Sequence, residues 1–289
     1  MPFARLGDLR FHYQQSGSGP DVILLHGVTG DLSIWFLSKT VQTLSGDFRV
    51  TAYDLRGHGY SDAPPTHYTS ADQACDLLAM MDHLGIERAS VVGHSFGGEI
   101  AAHAASIAPE RFDNLVMSDP YFPVLRHLED ISRWGHWQDF RIEALNAGVE
   151  LSDEFWYDIG HFFEQVQHLE GDRLLKFRQG VGLPTLGRLL RLGKTTCGED
   201  TKADGGLTEE MIAGLAHPVL ALYGEFSPFL STSQYLVEHL PNCRGEIVPL
   251  AKHRAPEETP EAFVSCLTKF LHASSPSVPE TDLSLNMTI

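Results

Sequence analysis

The stretch Ser90-Val91-Val92-Gly93-His94-Ser95-Phe96-Gly97-Gly98 leads from a short apolar run of β type into a segment, 98–108, whose small residues predict a helix. Within it Gly93-His94-Ser95-Phe96-Gly97 has the G-x-S-x-G form of a sharp strand-to-helix turn, with a serine at its apex and a glycine two positions to either side. A serine held there is forced into a strained backbone conformation and its hydroxyl projects outward, while the glycines let neighbouring backbone approach closely. Ser95 is the candidate nucleophile, because the strand before it and the helix after it are the context the motif demands.

Working outward, compact apolar runs recur at 21–25 (DVILL), 48–53 (FRVTAY) and 89–92 (ASVV), preceded by an alternating run at 9–14 and interrupted by a helical stretch at 70–84. Strands alternating with helices predict an α/β fold with a mostly parallel central sheet flanked by helices. Apolar runs return at 114–117, 218–223 and 245–248, and 260–272 predicts a last helix. Between the two groups lies 121–216, with helical character at 126–145, 153–169 and 173–191 and no clear strand. The expected organisation is a core of 1–120 and 217–272, a helical insertion of 121–216, and a flexible tail of 273–289 whose Ser, Pro and Thr residues give it little capacity to pack.

A serine hydroxyl is a weak nucleophile until a base removes its proton, and acyl transfer also needs donors for the charge that gathers on the carbonyl oxygen. The run DVILL ends in His26-Gly27-Val28-Thr29-Gly30, a turn able to bring a backbone amide to the serine. The amides of Val28 and Phe96 are the expected oxyanion donors. His26, next to a glycine at a strand end, is expected to brace this loop through hydrogen bonds.

Taken in order, His26-Gly27, then Asp54-Leu55-Arg56-Gly57-His58-Gly59-Tyr60-Ser61-Asp62, then Gly93-His94-Ser95-Phe96-Gly97-Gly98 resemble the α/β-hydrolase superfamily. The resemblance covers about residues 1–120 and resumes near 217–272. It implies that the insertion forms a helical cap over the serine, that the charged residues of 54–62 are structural, and that a catalytic histidine stands between the last strand and the last helix. His253 occupies that place in Val248-Pro249-Leu250-Ala251-Lys252-His253-Arg254-Ala255-Pro256-Glu257, with Ala251-Lys252 where the family usually has a small glycine.

The third partner departs from the common pattern. The resemblance places an aspartate three residues after Gly224, but Gly224-Glu225-Phe226-Ser227 has Ser227 there, and a neutral hydroxyl cannot balance an imidazolium. Two carboxylates are available. Asp119 ends the preceding strand in Val116-Met117-Ser118-Asp119-Pro120, where some members of the superfamily carry the acid, and Glu225 offers a longer arm from the usual loop. Asp119 is favoured and Glu225 is the alternative. Haloalkane dehalogenases and epoxide hydrolases are set aside because they use a carboxylate where this chain has Ser95.

The insertion is aromatic at intervals, with Tyr121, Phe122, Trp134, Trp137, Phe140, Phe155, Trp156, Tyr157, Phe162 and Phe163. Most of these are expected to bind the cap to the core, yet so many make a wholly polar pocket improbable. Trp35, Phe122, Trp134 and Trp137 are the expected substrate-binding side chains. His161 and His168 could share a helix face with Glu164, but a solvated face is the simpler reading and no metal is assigned. Arg126, Arg133, Arg173, Arg188 and Arg191 give the insertion cations that would suit an anionic or carrier-bound substrate.

Composition bounds the rest. The 289 residues are 43% hydrophobic and 20% charged, as in ordinary globular proteins. With 21 Lys and Arg against 38 Asp and Glu, the net charge of −17 would repel a phosphate backbone, so nucleic acid is not an expected partner. The start MPFARLGDLRFHYQQSG has no apolar stretch of signal-peptide type and no window approaches a membrane span, so a cytoplasmic location is expected, with Cys75, Cys197, Cys243 and Cys266 as reduced thiols. The expected activity is that of a serine hydrolase cleaving a carboxylic ester or thioester of an apolar acyl group through an acyl-enzyme, with no cofactor. Alternatives are a biosynthetic thioesterase, cyclase or acyl transferase using a hydroxyl or amine acceptor, and a carbon-carbon bond hydrolase, lyase or ligand receptor on the same fold.

Overall fold

Four consecutive side chains of Asp21–Leu25 are buried, and Ala89–His94 and Val219–Gly224 are buried throughout. Strands covered on both faces are what a parallel sheet between two helical layers requires. The computed structural model describes residues 2–274. In it β1 (Phe3–Leu6), β2 (Leu9–Ser16), β3 (Asp21–Leu25), β4 (Arg49–Tyr53), β5 (Ala89–His94), β6 (Phe112–Ser118), β7 (Val219–Gly224) and β8 (Cys243–Val248) form one sheet in the order β1-β2-β4-β3-β5-β6-β7-β8. The β1–β2 and β2–β4 pairs are antiparallel and the rest are parallel.

Alternate residues of the central strands serve opposite layers. Ile23, Leu25, Val91, Leu115, Met117 and Ala221 face one core, which the helices Ser70–His83 and Phe96–Ile107 and the inserted region complete. Val22, Leu24, Val92, Val116, Leu220 and Leu222 face the other, completed by the helices Ser33–Leu37, Thr40–Leu44 and Pro260–Ser274. The start of Ser70–His83 is fixed by a reciprocal cap in which the Thr69 side chain and the Asp72 carboxylate each serve the other's backbone amide.

The seven strands read from the apolar runs are present; β1 is additional. It is an edge strand with Phe3 exposed, so its pattern lacks the buried run that marks the others. The inserted region is helical but more broken than the periodicity suggests. The expected helix at 173–191 is two helices, Gly171–Val181 and Leu183–Leu192, parted at Gly182, whose φ of +79° precedes Leu183-Pro184. In 126–145 only Trp137–Asn146 is α-helical, after the 3-10 turns Pro123–Leu128 and Ile131–Arg133. In 153–169 the helix is Ile159–Gln167. Of the expected tail, Ala273 and Ser274 complete the last helix and 275–289 lie outside the described residues. Among the described residues no helix is long and apolar enough to cross a membrane, and the four cysteines are unpaired.

Candidate active site

The register of the sheet brings the ends of its central strands level. His94 pairs with Ser118, Ser118 with Leu222, and Gly224 with Val248, so the residues that follow β5, β6, β7 and β8 converge on one edge. Ser95 leaves β5 at φ +53° and ψ −123°, and the helix Phe96–Ile107 starts at the next residue. This strained turn exists because its neighbours are glycines. A Cβ on Gly93 would stand 2.1 Å from the Gly97 carbonyl oxygen, and one on Gly97 would stand 2.4 Å from that of Leu25. The Ser95 amide is satisfied by the Ser118 carbonyl at 2.8 Å, which ties the turn to β6.

His253, in the loop after β8, places Nε2 3.0 Å from Ser95 Oγ and Nδ1 2.9 Å from Asp119 Oδ1. An ionised carboxylate only accepts, so the ring donates from Nδ1 and its Nε2 lone pair faces the serine hydroxyl. Asp119 follows β6 at φ +54° and is wholly buried, and it accepts from the Gly224 amide at 2.9 Å and from Ser227 Oγ at 2.7 Å as well. Ser95, His253 and Asp119 are thus brought into one hydrogen-bonded line. Glu225 is not part of it: its exposed carboxylate accepts from the Leu250 amide at 2.8 Å.

The other two histidines near the serine are held neutral. Burial pushes His94 well below the ordinary histidine value, helped by the neighbouring His253, and its Nδ1 donates to the Ser118 carbonyl at 3.2 Å. Burial also lowers His26, against the pull of Asp54, and His26 braces its loop through Gly27 O at 2.8 Å and the Leu55 amide at 3.0 Å. Asp54 is a structural hub, accepting from the amides of Leu32 and Tyr60 and from His12. The loop after β3 lies against the nucleophile, since a Cβ on Gly27 would be 3.4 Å from Ser95 Oγ. Among the described residues the Val28 and Phe96 amides have no acceptor. A second serine-histidine contact, Ser70 Oγ to His103 Nδ1 at 3.0 Å, is buried between the helices Ser70–His83 and Phe96–Ile107, away from the strained turn.

The substrate-facing aromatics need correcting. Trp35 lies in the opposite core layer and packs on Phe263, because the helix Ser33–Leu37 turns that face toward the last helix. Phe122 is fully buried in the core, and Trp137 is buried within the inserted region, its indole N–H on Asp153 at 3.2 Å. Trp134 donates to the Phe226 carbonyl at 2.8 Å and joins the insertion to the loop after β7. The rings against the catalytic edge are Trp156 and Phe229, with centroids 5.1 Å and 5.4 Å from that of His253, both edge-on. Trp156 was one aromatic among many in sequence, and Phe229 lies outside the insertion. Its position two residues after Ser227 was the available signal.

Chemically, this is the arrangement of a serine hydrolase: a hydroxyl facing an imidazole lone pair, a buried carboxylate behind the ring, free amides nearby and an aromatic cluster suited to a small apolar molecule. Among the described residues no three His, Cys, Asp or Glu side chains gather as metal ligands. Residues 20–260 match the family model described as alpha/beta hydrolase fold. The chain is 31% identical over 271 residues to a Bacillus subtilis protein named "Putative 2-succinyl-6-hydroxy-2,4-cyclohexadiene-1-carboxylate synthase", covering 90% of this chain and 94% of that one. It is 25% identical over 279 residues to the 2-(acetamidomethylene)succinate hydrolase of Mesorhizobium japonicum, covering 93% and 94%. The crystal structure of the enol-lactonase from Burkholderia xenovorans superposes with a TM-score of 0.65 at 22% identity, covering 94% of this chain and all of that one, a likeness of fold.

Proposed function

The chain belongs to the α/β-hydrolase fold family, and from that premise we propose that it cleaves a carboxylic ester or thioester of an apolar acyl group through an acyl-enzyme on Ser95. The observation that carries this reading is the alignment of Ser95 Oγ, the His253 ring and Asp119 at 3.0 Å and 2.9 Å. His253 takes the hydroxyl proton as Ser95 Oγ adds to the carbonyl carbon, and gives it to the departing alkoxide or thiolate. Asp119 holds the ring with Nδ1–H toward itself and stabilises the imidazolium. The amides of Val28 and Phe96 receive the carbonyl oxygen as it becomes negative. Water, deprotonated by His253, then attacks the acyl carbon and returns Ser95.

The aromatic rings of Trp156 and Phe229 around His253 support an apolar acyl group, and residues 121–216 serve as the cap that covers it. A second reading is favoured by the name of the Bacillus subtilis relative: a synthase on this fold, with His253 and Ser95 acting as a proton-transfer pair and no acyl-enzyme.

The test is a panel of acyl esters and thioesters with competing hydroxyl and amine acceptors, read by mass spectrometry, together with fluorophosphonate labelling. Covalent label on Ser95 and a transient acyl adduct are expected, with both lost in Ser95→Ala. Folded wild-type protein that takes no label and turns over no ester would sink the acyl-transfer reading and leave the synthase-type reading.

A further inference from the structure

Two arginines of the inserted helix Leu183–Leu192 reach the core, and one of them ends on the loop that carries Val28. Arg188 Nε donates to the Thr29 carbonyl at 2.7 Å, Nη1 pairs with the Asp31 carboxylate, and Nη2 reaches Thr185 Oγ1 at 3.3 Å. The Arg188 side chain is only 13% exposed, so its planar fork is held in a sheltered place, with Nε and Nη1 on the segment just after Val28 and Nη2 on its own helix.

That segment needs holding. Gly27-Val28-Thr29-Gly30 is a turn closed by the Gly30 amide on the Gly27 carbonyl at 3.1 Å, and Thr29 at its third position has φ +69°. Turns ordinarily fill that left-handed position with glycine or asparagine, and a β-branched residue there is strained by about 1–3 kcal/mol. The core holds the start of the turn through His26 Nδ1 on the Gly27 carbonyl at 2.8 Å, and it meets Thr29 itself through the Thr29 amide on His58 Nε2 at 3.3 Å, a long hydrogen bond. Burial keeps His58 neutral with Nδ1 on the Arg56 carbonyl, so Nε2 is free to accept. The shorter restraint on Thr29 comes from the insertion, the Arg188 Nε bond at 2.7 Å. Asp31, which completes it, is itself fixed by the Ser33 amide at 2.9 Å and the Ser33 hydroxyl.

We propose that Arg188 is a positioning residue of the oxyanion site, locking the strained Thr29 turn from the cap so that the Val28 amide stays aimed at Ser95. This inference rests on the acyl-transfer reading above. It makes the oxyanion site complete only while the helix Leu183–Leu192 is seated on the core. A cation of the insertion whose charge would suit an anionic substrate is instead engaged with the loop that carries Val28. Its neighbour Arg191 is a natural control, because its Nη2 donates to the Gly59 carbonyl at 2.8 Å and fastens the same helix without touching the loop.

The experiment compares full-length wild type, Arg188→Met, Arg188→Lys, Asp31→Asn and Arg191→Met by thermal melting, p-nitrophenyl butyrate hydrolysis, fluorophosphonate labelling rate, and inhibition by an aryl boronic acid, whose adduct on Ser95 places an oxygen among the oxyanion donors. Arg188→Met is expected to lower kcat roughly 10- to 100-fold with KM within about threefold, and to weaken the boronate by a similar factor, since only interactions made in the transition state are lost. Arg188→Lys recovers part of both losses, and Arg191→Met keeps boronate affinity within about threefold of wild type. If Arg188→Met does not fold, Arg188→Lys and Asp31→Asn carry the same comparison. Wild type that takes no fluorophosphonate overturns the acyl-transfer reading itself. Labelled wild type with unchanged kcat and boronate affinity in the folded Arg188 and Asp31 variants, or with Arg191→Met equally impaired, overturns the role of Arg188 alone.

Discussion

Ser227 Oγ donates to Asp119 Oδ1 at 2.7 Å, the same carboxylate oxygen that His253 Nδ1 engages at 2.9 Å. The serine standing where the superfamily often carries the acid is a hydrogen-bond partner of the carboxylate one strand away. The Ser227 oxygen also accepts from the Phe229 amide at 3.0 Å, so one hydroxyl links the acid to a ring that walls His253.

From this arrangement the acid is expected to be exchangeable between positions 119 and 227. Asp119→Asn is expected to lose roughly 10³- to 10⁴-fold in kcat, as neutralising the orienting acid does in other triads. Adding Ser227→Asp to that variant is expected to recover at least about tenfold, because the side chain at 227 starts 2.7 Å from the Asp119 oxygen that His253 engages. Glu225→Gln should stay within about twofold of wild type, since its carboxylate serves the Leu250 amide. Ester hydrolysis by the three variants decides the matter, and loss of activity in Glu225→Gln with retention in Asp119→Asn would reverse the assignment.

The strained turn leaves no room for a side chain. Gly97→Ala would put a methyl 2.4 Å from the Leu25 carbonyl oxygen, backbone that cannot swing aside. A loss of about 3 kcal/mol or more in urea unfolding, or failure to fold, is expected. A variant with wild-type stability and labelling would mean that the turn is looser than its contacts require.

Stability should fall on mild acidification. Burial holds His26, His58 and His94 below the ordinary histidine value, so the folded chain keeps them neutral where the unfolded chain takes up protons. Below about pH 6.5 the unfolded state then binds more protons, and each such group costs up to about 1.4 kcal/mol per pH unit. Thermal melts between pH 7 and 5 should show a falling Tm, with a shallower fall in His58→Gln.

Glu99 has the opposite sign. Burial raises its carboxyl well above the usual range, so the folded state holds a proton that the unfolded state gives up above about pH 4.5, and stability is lost as pH rises. The Tm of Glu99→Gln relative to wild type is therefore expected to climb from pH 5 to pH 8. A difference independent of pH would show that the buried acid is not protonated.

The aromatic corrections are testable as a pair. Trp156→Ala removes a ring that packs edge-on against His253, and should raise KM for apolar acyl esters about tenfold or more. Trp137→Ala removes a buried ring inside the insertion, and should cost about 3–5 kcal/mol of stability with KM little changed. Equal effects of the two on KM would restore Trp137 to the substrate side.

Much of the molecule was legible in the chain. The β runs, the glycine-flanked Ser95 and the position of His253 are local patterns: periodicity marks burial on both strand faces, and a turn that excludes a Cβ has to write glycine into the sequence. The sequence favoured Asp119 over Glu225 from its place at a strand end, but it brought neither carboxylate to His253. Both carboxylates flank strand ends, and only the parallel register of β6 against β7 shows that one points at His253 while the other turns to Leu250.

The aromatic residues mark the same boundary. An aromatic side chain has the same composition whether it seals a core or lines a cleft, so Trp35 and Trp156 could not be told apart before the helices were packed. Sequence alone determined that this is a sheet-and-helix protein with a serine on a strained turn and a histidine downstream, because those features rest on backbone sterics and burial along a few neighbouring residues. Tertiary structure alone decided which rings and which arginine meet them and set the favoured Asp119 against His253, because those contacts join segments as distant as Thr29 and Arg188 or Asp119 and His253. Their geometry is set by strand order and helix packing, which no short stretch of the chain encodes.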